Sequence, residues 1–186
     1  MKKMDGDRQI MDLAADCHWG IMMFTAAHEI AHTYQMCTSP NYWKGHLKDA
    51  EFNADAIAYD IFLRCIMESP EPDFVMDEYT YLAPMMYMDF FNLYYYTDFI
   101  LYGTKYCSKT HPTPDERKDA LFSILEQEIY QLNTEEGNTV YQWFCMVYDL
   151  YTEKLPEYKE NGKLDGIIHT ERRKRRTNGE TGSNSI

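Results

Sequence analysis

The stretch MDLAADCHWGIMMFTAAHEIAHTYQM (residues 11–36) holds no proline and one glycine, and its apolar residues return every three or four positions. That interval is the period of an α-helix, with Leu13, Cys17, Ile21 and Phe24 on one stripe. Ser39-Pro40-Asn41 breaks the pattern. The same period recurs downstream. A second helix is expected over about 48–68, carrying Phe52, Ala56, Tyr59 and Leu63, and Ser69-Pro70-Glu71-Pro72 forbids its continuation. A third is expected over about 77–102, with a late start or a kink at Pro84 and a stop at Gly103. In Thr113-Pro114-Asp115-Glu116, threonine suits the N-cap, proline the first helical position and Glu116 a capping box, so a fourth helix runs to about residue 132. A fifth, about 138–154, ends before Pro156.

Alternating strand patterns are scarce. The expected fold is therefore mainly α, about five helices with no N-terminal β-sheet. Its 186 residues suffice for one domain with a core. We expect residues 1–160 to form that domain and residues 161–186 a flexible, disordered tail with a basic cluster at Arg172, Arg173, Lys174, Arg175 and Arg176.

Charge narrows the partners. The chain has a formal net charge of -12, and residues 1–170 carry 13 bases against 28 acids. Such a body repels phosphate backbones and anionic membranes. Nucleic acid or an acidic partner is expected only at the basic tail. Five cysteines form no C-x-x-C pair, the usage of reduced, mostly buried thiols, which points to the cytoplasm. Residues 1–8 are polar and open no signal peptide. The apolar stretch 85–102 is interrupted by Asp89, Asn92 and Asp98, each costly in lipid, so no membrane span is expected.

One segment of the first helix carries chemistry. In His28-Glu29-Ile30-Ala31-His32 the two imidazoles stand one turn apart on one face and can bind one metal ion. Glu29 lies about 100° around the helix from His28. It can reach a water beside the metal without being a ligand, as a general base requires. The next helix supplies Glu51-Phe52-Asn53-Ala54-Asp55, two carboxylates four residues apart. Glu51 can complete a two-histidine, one-carboxylate site with a fourth position open. Asp55 can accept a hydrogen bond from a ligand imidazole, most naturally His28. The plain alternative is a pair of solvated acids on an acidic protein.

H-E-x-x-H followed by E-x-x-x-D resembles the gluzincin zinc metallopeptidases. His111-Pro112-Thr113-Pro114-Asp115-Glu116-Arg117 is similar to the H-P-x-x-x-x-R segment of the HtpX and CAAX-prenyl-protease-like branch. The short gap between His32 and Glu51 resembles the soluble Lit-like phage-exclusion and IrrE-like metallopeptidases. The resemblance implies Zn2+ held by His28, His32 and Glu51, Glu29 as general base and Asp55 behind the ligands. It also implies that His111 and Arg117 lie beside the metal.

A histidine in a loop pinned by two prolines can donate to the oxyanion formed when water attacks a carbonyl. Arg117 can pair with Asp55 or Glu51, or hold the loop. His46, in a predicted loop, is a substitute ligand, and His18 is structural. Gln35 and Thr38 stand where a metzincin needs glycine and histidine, which excludes that branch. Tyr94-Tyr95-Tyr96 reads as packing, although one of these rings could line the cleft.

The expected function is a zinc-dependent endopeptidase of narrow specificity, acting on a protein or peptide substrate through a metal-activated water. The rival is a helical protein-binding module with a structural or vestigial zinc site, closed by His46, Cys37 or His111.

Overall fold

The computed structural model describes residues 2–39, 47–68, 80–105, 108, 110–128 and 134–166. Among them the fold is mainly α, with no strand. Five helices follow in order: α1 (Lys2–Thr38), α2 (Leu47–Met67), α3 (Ala83–Tyr102), α4 (Pro114–Glu128) and α5 (Thr134–Glu160); a 3-10 turn, Thr80–Leu82, precedes α3. No described helix is long and apolar enough to cross a membrane. Residues 167–186, including the expected basic tail, lie outside the described residues, as does His46.

The chain divides into two compact units. One comprises residues 1–92 and 108–145, the other residues 93–107 and 146–186. In the first, α1 lies against α2, and α4 also packs on α2. The core joins Phe24 of α1 to Tyr59 and Phe62 of α2, Leu82 of the 3-10 turn, Met85 and Met88 of α3, and Leu121 of α4. Burying each such side chain contributes about 1.5–3 kcal/mol.

The buried face of α2 matches the expected one at Tyr59 and Leu63 and departs from it elsewhere. Phe52 and Ala56 are only half-buried, whereas Ala50, Ala54 and Ala58 are fully buried at four-residue intervals. On α1, Ala27 and Ala31 are buried as well. Methyl-sized side chains let two helices approach closely. Residues next to them are drawn into the seam, and Glu51 and Asp55 are therefore buried, at 7% and 1% exposure.

The ends of the helices follow from local chemistry. Residues 77–79 lie outside the described residues, and α3 starts at Ala83, so that Pro84 falls in its first turn, where a missing N–H costs nothing. Gly103, at φ 72°, closes α3 with its N–H 2.9 Å from the Phe99 carbonyl. At α4, the Thr113 N–H donates to Glu116 Oε2 at 2.7 Å and the Glu116 N–H to Thr113 Oγ1 at 3.2 Å, the reciprocal capping box.

The expectation that Pro156 ends the fifth helix is wrong. The helix runs on to Glu160 and closes at Gly162, φ 68°. Proline removes the N–H that would bond the carbonyl four residues back, that of Thr152. In the second unit the Tyr96 hydroxyl donates to that carbonyl at 3.0 Å, so the gap is filled. The thiols also depart from expectation. Cys37 and Cys65 are exposed; Cys17 is half-buried, and burial, then Asp16, pushes it up to about 11. At pH 8 iodoacetamide should therefore label Cys37 and Cys65 well before Cys17, and equal rates by peptide mass spectrometry would count against the packing of α1.

Gly20 marks the closest approach of α1 to α3. A Cβ there would lie 2.6 Å from Ala83 Cβ and 3.1 Å from Thr80 Cγ2. Gly20→Ala gains about 1 kcal/mol of helix propensity but overpacks the contact by about 1–3 kcal/mol. We expect a lower urea midpoint, lower still for Gly20→Leu. A raised midpoint for both variants would mean that α1 is not seated there.

Candidate metal centre

His28 and His32 project from α1 with ring centroids 4.4 Å apart and planes at 84°. Glu51 reaches them from α2. Its Oε2 is 3.5 Å from His28 Nε2 and its Oε1 3.5 Å from His32 Nε2. One donor atom from each of the three residues lies within 4.8 Å of the others, and the group can hold a metal ion. Bonds of about 2.0–2.1 Å to a tetrahedral ion set neighbouring donors roughly 3.3–3.5 Å apart; each Glu51 oxygen stands near that distance from one of the imidazoles, and a single bound oxygen has to close on both.

Behind the donors runs a chain of charge. Asp55 Oδ1 is 2.9 Å from His28 Nδ1. The approach is close but not well aligned, since the Nδ1 proton finds no hydrogen bond of good geometry. Arg117 grips the same carboxylate with both arms of its guanidinium, Nε to Oδ2 at 2.7 Å and Nη2 to Oδ1 at 2.6 Å. Of the two partners the sequence left open, Arg117 takes Asp55.

These contacts decide the ionisation. Burial pushes the Asp55 carboxyl up, but Arg117 and then His28 outweigh it and hold it low. Glu51 is likewise held low against burial, by His28, His32 and Arg117. Burial opposes charge on His28, yet Asp55 and Glu51 together raise it to about 9. Two buried carboxylates face one arginine, and the seam demands one further positive charge.

The other expected residues border the same cavity, of about 490 Å³. Glu29 lines it from α1, exposed and outside the three-donor group. His111, in the loop before α4, sets its Nε2 3.4 Å from Glu51 Oε1. Its Nδ1 meets Thr110 Oγ1 at 2.8 Å, and its backbone N–H donates to Ser108 Oγ at 2.8 Å. His18 and Cys37 are exposed and do not border the cavity.

Two features escaped the sequence reading. The aromatic wall is Phe24, Tyr87 and Phe91, and not the Tyr94-Tyr95-Tyr96 cluster. Gln35, weighed only as a residue that excludes metzincins, is buried and bonded to His32. No family profile, curated protein or solved structure matches the chain.

Removing Arg117 leaves Asp55 buried and unpaired, a loss of about 3–5 kcal/mol. Arg117→Met should therefore destabilise the metal-free protein severely, and Asp55→Asn in that background should restore part of the loss. Strict additivity of the two in a denaturation cycle would mean that the pair does not interact.

Proposed function

We propose that this chain is a zinc-dependent endopeptidase of gluzincin type that hydrolyses a protein or peptide substrate in the cytoplasm. The observation that carries the reading is the convergence of two histidines and a carboxylate, with donor atoms within 4.8 Å of one another, and a second carboxylate, Glu29, on the same cavity but outside the donor set. An imidazole–imidazole–carboxylate set suits zinc. A reducing compartment agrees with the four described cysteines, none of which forms a disulfide.

Zinc bound at His28, His32 and Glu51 would supply a Lewis acid for the scissile carbonyl and acidify a water. Glu29 takes the proton of the attacking water and hands it to the leaving amine. In the tautomer in which the Thr110 hydroxyl donates to His111 Nδ1, Nε2 carries a proton and donates a hydrogen bond to the developing oxyanion. Phe24, Tyr87 and Phe91 form an apolar wall that takes a substrate side chain and excludes water. Asp55, locked by Arg117, orients His28. The helices that line the cavity and the 110–113 loop hold the substrate, and specificity is narrow.

A second reading rests on His111. Its Nε2, already 3.4 Å from a ligand carboxylate, makes it the candidate fourth protein ligand of a closed, structural site in a protein-binding module. A closed site has no room for a hydroxamate.

Protein purified without added metal should contain about one zinc per chain by elemental mass spectrometry, and Glu51→Ala should lose it. Glu29→Gln should keep zinc and bind hydroxamate while cleaving a casein-derived peptide library roughly 100- to 10,000-fold more slowly. Undiminished cleavage by Glu29→Gln would sink the mechanism. Zinc that excludes hydroxamate until His111→Ala opens the site would favour the binding module.

A further inference from the structure

We propose that Gln35 is a positioning residue of this site. It holds His32 at Nδ1, which assigns metal binding to Nε2, and ties that ring to the backbone of α2 one residue before Glu51. The inference rests on the metal reading above and deepens it.

Gln35 stands three residues after His32 on α1 and is 5% exposed. Its amide nitrogen donates to the Ala50 carbonyl at 2.9 Å and to Asn53 Oδ1 at 2.9 Å. A main-chain carbonyl only accepts, so that end of the amide is the nitrogen. Oε1 therefore faces His32 Nδ1, at 3.2 Å, and accepts its proton. The tautomer follows. Nδ1 carries hydrogen, which leaves Nε2, 3.5 Å from Glu51 Oε1, as the nitrogen that can bind a metal in the neutral ring.

The two imidazoles thus have different holders. His28 meets the carboxylate of Asp55, whereas His32 meets a neutral amide. A third buried carboxylate beside Glu51 and Asp55 would add repulsion with no cation to match it. A glutamine accepts from the ring without that charge, and its two donors reach across the seam to α2. The same side chain therefore sets the orientation of one ligand and the register of the helix that bears another.

The test begins with the wild-type, metal-free protein. Long-range proton–nitrogen correlation spectra, at a pH where His32 is neutral, should show His32 protonated at Nδ1. Protonation at Nε2 overturns the inference directly. Gln35→Met keeps the volume and removes the acceptor and both donors. It should abolish the Nδ1 preference at His32, leave the ring of His28 unchanged, and weaken cobalt and zinc binding about 10- to 100-fold with helicity retained. An unchanged tautomer, or affinity within twofold of wild type, overturns it. Asn53→Ala removes only one of the two tethers and should leave the tautomer of His32 in place; loss of that tautomer would assign the positioning to Asn53 instead. A wild-type chain that shows the Nδ1 tautomer and takes up no metal supports the role of Gln35 at His32 and overturns only the metal reading.

Discussion

Everything at the candidate site depends on how closely α1 and α2 approach. The seam between them is built from Ala27 and Ala31 on one side and Ala50, Ala54 and Ala58 on the other. Side chains this small bring the helices near enough for residues flanking the seam to meet across it. His28 and His32 flank it from α1; Glu51 and Asp55 flank it from α2, and the separations of 2.9–3.5 Å between them follow. A larger residue at Ala31 or Ala54 would part the donors before it disturbed any of them chemically.

Burial at that seam creates an electrostatic problem that the rest of the unit answers. Glu51 and Asp55 are taken out of water, which alone would favour their neutral forms. Arg117 arrives from α4 through the capped turn at Thr113 and neutralises Asp55. What remains is one buried imidazole, one half-buried imidazole and one carboxylate, a place that draws either a proton onto His28 or a cation between the donors. The capping box, which looks like a detail of helix initiation, is thus what points Arg117 at its partner. It also fixes the loop that presents His111.

Much of this was legible in the chain. The helical period gave the helices, and Thr113-Pro114-Asp115-Glu116 named the start of α4 because a cap is a contact among residues three apart. The i to i+4 spacing of His28 with His32, and of Glu51 with Asp55, placed each pair on one helix face. Pro156 misled, since the compensation for its missing N–H comes from Tyr96, 60 positions away in sequence. The buried face of α2 was legible at Tyr59 and Leu63 but not at Ala50, Ala54 and Ala58. Alanine and an acid carry a weak hydrophobic signal, and Phe52 a strong one, yet close approach selected the alanines.

The sequence by itself determined what is local: which segments are helical, where they are capped, and which donors share a face. Those properties arise from backbone geometry repeated over three or four residues. Only the tertiary structure decided which faces meet. It assigned Arg117 to Asp55 rather than Glu51, set Tyr87 and Phe91 into the cavity wall, and turned Gln35 from an unremarkable helix residue into the holder of His32. Such choices depend on side chains distant in sequence competing for the same buried partner, and no periodicity along the chain records the outcome of that competition.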